Sequence, residues 1–510
     1  MDGQSALGRQ IESFREARRE IEASVLPLAT SVDGRRFSFQ ASLHGLELQA
    51  GGYAVLDDDG TRRLGQVLSV EFDQQLAGQL TLPPSVAGGP EARTELQVRC
   101  ARGEGIIVDG SSAPFHDALI HPAAGSDVLK WQQRETPPHA QLILGELALA
   151  AGVPCVADAA GFNRHTFLCG QSGSGKTYSL GVILERLLTE TDLRMVIFDP
   201  NSDFTRLGEV RADADPALAG RYREAARGVA VYSAGAHGGR RLRLHAAEVE
   251  PAAQAAVLRL DPIADREEYA ALAELLADPD TPSIEELTVS VLPEAARLGL
   301  RIKNLGVDRY SVWAPGESGS VLDAIHDPSV RCVVIDLGSL PTREEQSLVA
   351  AAVLGDLWRR RQERDPVLIV IDEAHNVCPA EPSDPLAEVA TEHAIRIAAE
   401  GRKFGLYLLL STQRPQKIPE NVLSQADNLV LMRLNSLADA AFAEAVFSFV
   451  PPSLIGRSVT FRQGEALIAG KISPRQPALL RFGARISEEG GADVPATWAA
   501  PRLPAGCSPA

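Results

Sequence analysis

The sequence predicts an α/β protein: a parallel sheet covered by helices on both faces, preceded by a small β-barrel and interrupted by a helical insertion. Three observations carry that expectation. From about residue 140, short apolar runs alternate with helical patterns, the rhythm of a parallel sheet. Between residues 25 and about 120, short half-alternating runs are separated by Gly, Asp and Pro, which reads as a small all-β unit. Between 245 and 305 the strand rhythm lapses into helical stretches with Pro-rich joints.

In chain order, residues 1–24 read as a charged amphipathic helix, not a signal peptide. Residues 25–122 form the barrel, from FSFQAS, GGYAVLDD, LGQVLSVEF, QLTLP, ELQVRCARG and GIIVDG, with DDDGTRR (57–63) as a turn. The α/β core is expected over 140–244 and 306–450. Its strands are HTFLCG (165–170), RMVIFD (194–199), GVAVYS (228–233), RCVVIDL (331–337), VLIVID (367–372), LYLLLST (406–412) and NLVLMRL (428–434). Nearly unbroken apolar runs are what strands buried on both faces require. Residues 245–305 form an inserted helical subdomain or lid, and 451–510 add strand-like pieces (GEALIAG, PALLRFGARI) and a Pro/Gly/Ala-rich tail.

Bulk composition narrows the function. The 510 residues are 45% hydrophobic and 23% charged, too long for one ordinary domain. The six cysteines (Cys100, Cys155, Cys169, Cys332, Cys378, Cys507) show no metal-ligand or disulfide spacing, which fits a reducing cytosol. No window approaches a membrane span, so a cytoplasmic protein without membrane contact is expected. A net charge of −17 argues against coating nucleic acid by bulk attraction, so any DNA contact must be a local basic zone.

The chemistry sits in a few stretches. Gly170-Gln171-Ser172-Gly173-Ser174-Gly175-Lys176-Thr177 follows an apolar strand and opens a helix, the context that separates a phosphate-binding P-loop from a chance Gly-rich turn. Its backbone N–H groups and the helix N-terminus suit phosphates. Lys176 would reach the β- and γ-phosphates of ATP, and the Thr177 hydroxyl would ligate Mg²⁺. Gly170, Ser172, Gly173, Ser174, Gly175, Lys176, Thr177 and Tyr178 are the expected nucleotide contacts. VLIVIDEAH (367–375) ends a strand in Asp372, suited to the metal's coordination, and Glu373, suited to polarising water. Asp-Glu after a strand is otherwise a solvated cap.

GRKFGLYLLLSTQRP (401–415) places polar groups at both ends of one strand. Gln413, at the C-terminal end, would hydrogen-bond the attacking water and the γ-phosphate; the alternative is a polar residue closing a strand. Arg402 lies at the N-terminal end, on the edge away from its own P-loop. It could reach a neighbour's nucleotide, or be a plain solvated turn. Arg164, at the start of the P-loop strand, invites the same argument. Asp199, ending the second core strand, is a further metal candidate, though Asp-Pro-Asn-Ser-Asp (199–203) also makes an economical turn. Cys169 reads as packing and His375 as supporting the site without touching metal.

NRHTFLCGQSGSGKT, FDPNSDF, IVIDEAH and EGRKFGLYLLLSTQRP, followed by NVLSQADNLVLMRL, resemble the HerA family, grouped with FtsK among hexameric DNA-pumping ATPases. LGQVLSVEF resembles that family's N-terminal barrel, and LILGELALAAGVPCVAD its linker into the motor. One departure is Asp-Pro-Asn-Ser-Asp in place of the usual His-Gly-Glu ending. The resemblance implies a RecA-like P-loop core and a homohexamer threading double-stranded DNA through a central pore by ATP hydrolysis. It also implies a partner nuclease or effector docking on the barrel, in DNA-end repair or antiphage defence, as helicase or translocase. Arg402 and Arg164 become candidates for contacts across the subunit boundary. Two alternatives remain: a nucleotide-controlled ring scaffold that gates an effector, and an FtsK- or conjugation-type pump. Six copies would carry on the order of 100 negative formal charges, so the lumen must be locally basic. Lys417 and RLGEVR (206–211) are candidates to line it.

Overall fold

The computed structural model describes residues 15–16, 19–20, 22–23, 25–82, 92–138, 141–235, 239–277, 293–314, 319–473 and 475–491. The expected N-terminal helix lies mostly outside these; the six described residues before 25 are helical. Residues 278–292 of the insertion and the tail from 492 also fall outside the described residues.

Six strands close a barrel in the order β1-β2-β5-β4-β3-β6: β1 (Leu28–Ser31), β2 (Arg36–Ser42), β3 (Tyr53–Asp58), β4 (Thr61–Leu82), β5 (Ala92–Ile107) and β6 (Phe115–Pro122). The β3–β4 turn is Asp59-Gly60, both at positive φ, as a two-residue hairpin requires. Inside, Phe37 and Phe39 lie against glycines: a Cβ on Gly105 would stand 2.1 Å from Phe37, and one on Gly103 2.4 Å from Phe39. The four pieces expected across 64–110 are instead two long strands, β4 and β5, paired from Gly65↔Ile107 to Leu82↔Ala92. Bulges at Val67/Ser69 and Leu76/Gly78 break the alternation that would have shown their continuity.

The second sheet has twelve strands in the order β12-β11-β13-β10-β14-β15-β9-β16-β17-β18-β7-β8. They are β7 (Gln141–Leu147), β8 (Pro154–Asp158), β9 (His165–Cys169), β10 (Arg194–Asp199), β11 (Val229–Ser233), β12 (Arg240–Arg241), β13 (Cys332–Asp336), β14 (Val367–Ile371), β15 (Leu406–Thr412), β16 (Ala426–Leu431), β17 (Glu465–Gly470) and β18 (Ala478–Phe482). From β12 to β16 every neighbouring pair is parallel; from β16 to β8 every pair is antiparallel. β9, β13 and β14 are buried at every residue. This is the RecA-like core expected from the sequence, extended by an antiparallel edge. The stretch resembling a linker, 142–158, is the β7–β8 hairpin of that edge, because β7 pairs with β18.

The helix Gly125–Glu135 joins barrel to sheet. Its Trp131 Nε1 donates to Val108 O in the barrel at 3.0 Å, and the Gln132 side chain bonds Pro154 O and Val156 N on β8. Gln66 of β4 donates to Pro477 O at 2.7 Å, a second tie. The insertion's helices Pro251–Val257, Arg266–Ala277 and Pro293–Leu305 bury Ala253, Leu272, Leu298 and Ile302 in the core that also holds the helix Arg343–Arg359. Because their apolar faces are spent there, they pack as a subdomain.

Candidate active site

Chain direction places the site. In a parallel sheet all C-terminal strand ends share one edge, so the loops after β9, β14 and β15 converge. β15 stands between the P-loop strand β9 and the acid-bearing β14, which brings Gln413 to the edge shared by the P-loop and Glu373. Gly173 and Gly175 take φ of 74° and 91°, the left-handed region that lets the loop turn back on itself before the helix Lys176–Glu190.

The side chains that spacing brought together on paper meet in space. Lys176 Nζ lies 2.8 Å from Asp372 Oδ1, 3.0 Å from Glu373 Oε1 and 3.1 Å from Ser411 Oγ. Ser411 donates to Asp372 Oδ1 at 2.7 Å, and Gln413 Nε2 to Glu373 Oε1 at 2.7 Å. Burial alone would lower the Lys176 pKa, but the Asp372 and Glu373 carboxylates outweigh it and raise it. Glu373 is itself at φ 41°, a strained backbone for a non-glycine residue that turns its carboxylate toward Lys176. His375 Nδ1 sits 3.0 Å from Thr412 Oγ1 and 3.3 Å from Glu373 Oε2; burial first lowers its pKa.

A cleft of about 700 Å³ opens on this cluster, lined by the P-loop from Gln171 to Tyr178 (Ser174 excepted) and by Gln413. Its far wall was not foreseen: Gln463 and Gly464 from the turn before β17, Arg481 and Phe482 from β18, and Gly483, Ala484 and Glu489 from the strap after it. No residue of this lining comes from the described part of the insertion 245–305. The strap is fastened to the P-loop helix. Buried Glu185 accepts Ile486 N and Ser487 N at 2.8 and 2.7 Å, and Tyr178 OH accepts Arg485 N at 2.7 Å.

The Asp199 carboxylate closes the turn that follows its strand. It is fully buried, and its two oxygens accept Asp203 N at 3.0 Å and Phe204 N at 2.7 Å, closing the turn. Burial, with Asp372 nearby, pushes its pKa up to about 7 against those two bonds. Asp203 O in turn receives Gly490 N, so the 199–203 turn anchors the strap.

Arg402 and Arg164 lie at the opposite edge and converge on one carboxylate. Arg402 Nη1 is 2.5 Å and Arg164 Nε 3.4 Å from Asp427 Oδ2. Both are more than a third exposed. A five-residue β9 at ~3.3 Å per residue separates this edge from the P-loop by roughly 16 Å, beyond an arginine's reach. Behind them His165 is buried, its Nδ1 accepting Leu408 N at 3.0 Å; burial and then Arg402 lower its pKa to about 4.

The basic stretches fare unequally. Arg206 pairs with Glu209 and Arg211 with Asp213, so RLGEVR forms no free basic patch. Arg414 and Lys417, after β15, are exposed. Cys100, Cys155, Cys169, Cys332 and Cys378 are buried and unpaired; Cys507 lies outside the described residues.

Phosphate loop, lysine, paired acids and polar strand-end residue in this order define a P-loop nucleoside-triphosphatase. Residues 142–309 match the family model described as "Helicase HerA, central domain". The DNA double-strand break repair helicase HerA of Sulfurisphaera tokodaii is 32% identical over 185 residues, 34% of this chain and 36% of that protein. The protein of the same description from Saccharolobus solfataricus is 28% identical over 187 residues, 34% of this chain and 35% of that one. The match thus spans about a third of the length of these relatives. Among solved structures, VirB4 of Thermoanaerobacter pseudethanolicus aligns over 68% of this chain and 98% of its own, at 17% identity and a TM-score of 0.47. The bacterial conjugative coupling protein TrwBΔN70 aligns over 73% and 94%, at 14% identity and a TM-score of 0.48. Residues 142–309 of this chain are thus similar to the central domain of HerA helicases. Among the described residues no helix is long and apolar enough to cross a membrane.

Proposed function

We propose that this chain hydrolyses ATP and couples the hydrolysis to movement of double-stranded DNA through a homohexameric ring. The carrying observation is the division of the site between two sheet edges. Lys176, Asp372, Glu373 and Gln413 stand at one edge, while Arg402 and Arg164 stand together at the other. Charge kept away from its own nucleotide serves catalysis only when a neighbour presents a nucleotide to it, as in a ring.

The residues fit Mg·ATP. Asp372 Oδ2 is buried with no hydrogen-bond partner, an oxygen left over for a cation or its water, and Thr177 lines the same cleft. Among the described residues no three His, Cys, Asp or Glu side chains gather to hold a metal unaided. That suits Mg²⁺, which takes few protein ligands and completes its coordination with phosphate and water. When bound, Mg²⁺ would neutralise phosphate charge; Thr177 and Asp372 are the groups that would hold it.

Phosphate entering the loop draws the Lys176 ammonium from the two carboxylates, leaving Glu373 held by Gln413 on one oxygen, with His375 beside the other. Glu373 then takes the proton of the attacking water, and Gln413 orients that water. Arg402, with Arg164, stabilises charge on the neighbour's transferring phosphoryl group. Asp427 keeps the two guanidiniums side by side through exposed ion pairs worth roughly 0–1 kcal/mol each, weak enough to exchange for phosphate. Arg414 and Lys417 face the DNA, and a nuclease or effector docks on the barrel, in DNA-end processing or antiphage defence in the cytoplasm.

The test is ATP turnover with and without linear duplex DNA. Glu373→Gln is expected to bind nucleotide but lose about 10²–10⁴-fold in rate. Arg402→Ala should retain nucleotide binding and ring assembly, and mixing it with Lys176→Ala subunits should restore part of the turnover. Turnover indifferent to DNA, or no recovery on mixing, would sink the translocase reading.

A further inference from the structure

Arg433 is a charged residue that the site described so far leaves without a role. It follows β16, the neighbour of the P-loop strand on the side away from β15. Its own carbonyl accepts Gln171 N of the phosphate loop at 3.0 Å, which fixes the segment against that loop. Its Nη2 stands 3.5 Å from where a Cβ on Gly173 would be, so the guanidinium rests at the loop's apex, where glycine puts no side chain in the way. Its Nε is buried with no hydrogen-bond partner. No carboxylate among the described residues pairs with it, whereas Arg164, Arg402, Arg206, Arg211 and Arg485 all have acidic partners. The acid on its own segment, Asp439, is turned away to Gln171 Nε2 at 3.1 Å and Gln416 Nε2 at 3.3 Å.

A half-buried guanidinium with an unsatisfied N–H and no counter-charge is costly unless an anion completes it. The anion the adjacent loop is built to hold is a polyphosphate. We propose that Arg433 binds the terminal phosphate of the nucleotide on its own subunit, swinging its fork around Gly173 when a triphosphate enters. The assignment rests on the nucleotide-site reading above. It deepens that reading by making Arg433 the group that tells ATP from ADP in cis, in distinction from Arg402 and Arg164 in trans. On this proposal the apex faces the outer end of the phosphate chain and the helix N-terminus the inner phosphates, and the contrast between ATPγS and ADP tests that placement.

The experiment measures affinity of the full chain for fluorescent ATPγS and ADP, and separately for a labelled DNA duplex without nucleotide. Arg433→Ala is expected to weaken ATPγS ~10- to 100-fold, as loss of a charged hydrogen bond should, while ADP changes less than about threefold. Arg433→Lys should retain part of the ATPγS affinity, because the charge survives and the fork does not. Should Arg433→Ala not fold, Arg433→Gln compared with Arg433→Lys carries the same contrast. Unchanged affinity for both nucleotides, or equal loss for both, overturns the proposal. Loss of duplex affinity with nucleotide binding intact also overturns it, by assigning Arg433 to the DNA backbone. Lys176→Ala is the control: if it leaves both nucleotide affinities intact, the reading of the site has failed and not Arg433.

Discussion

Replacing Arg485 by Met should loosen the far wall of the nucleotide cleft. Arg485 is fully buried, with Nε 3.7 Å from Glu185 Oε1 and 3.0 Å from Ser487 Oγ, and its guanidinium 5.5 Å from the Phe204 ring centroid. Glu185, on the P-loop helix, is equally buried. Removing one partner of a buried pair costs about 3–5 kcal/mol, because the other charge is stranded. Glu185 would still accept Ile486 N and Ser487 N, so the loss should fall at the lower end. A loss of about 3 kcal/mol raises the opening constant of the strap roughly a hundredfold. Hydrogen exchange at the Ile486 and Ser487 amides reads that opening directly. A higher KM for ATP should accompany it, because Gly483, Ala484 and Glu489 wall the cleft. The double variant Glu185→Gln/Arg485→Met should recover part of the protection, since no buried charge is then stranded. Protection unchanged within about threefold in Arg485→Met would refute the clamp.

Three further expectations concern other parts of the molecule. Gln413→Ala removes the 2.7 Å donor to Glu373 and should lower kcat about 10- to 100-fold with little change in KM, measured in steady state. His165 has its pKa lowered to about 4 in the folded chain, against an ordinary 6.5. The unfolded chain therefore binds the extra proton first, and stability should fall as pH drops through 6.5 toward 4, by at most roughly 3 kcal/mol. Removing the Arg402 charge should move the His165 pKa upward, which NMR titration would detect; no movement would separate the two residues. Gly181→Ala would put a Cβ 2.6 Å from Arg485 Nε and should cost about 1–3 kcal/mol by overpacking, read from thermal unfolding.

The parts of the site that were legible are those whose chemistry is written in short spacing. Gly170 to Thr177 declares itself because a phosphate loop needs its glycines, lysine and hydroxyl within eight consecutive positions. Asp372 and Glu373 follow an apolar strand, and Gln413 follows another, so direction alone carries them to one edge. The same logic carries Arg164 and Arg402 to the other edge. Asp427 was not visible, since nothing local marks one acid among 67 Asp and Glu as the one between two arginines. Asp199 ends a strand, a position that suits a metal ligand, and what the sequence alone did not show is that both its oxygens accept backbone amides of the turn. β4 and β5 were read as fragments because bulges disturb a period of two, and the β7–β8 hairpin was read as a linker because its partner β18 is more than 300 residues away in sequence.

By itself, the sequence determined the seven core strands it named, the phosphate loop, the acids after β14 and the direction in which each points, because these follow from patterns within a few residues. The tertiary structure decided which strand stands beside which, and so which distant side chains share a site. Strand pairing is set by burying faces against one another over long separations in chain, a choice no local window contains. It placed β15 between the P-loop strand and the strand that carries Glu373, folded the strap 483–491 across the P-loop helix, and left Arg433 beside Gly173 with no counter-charge among the described residues.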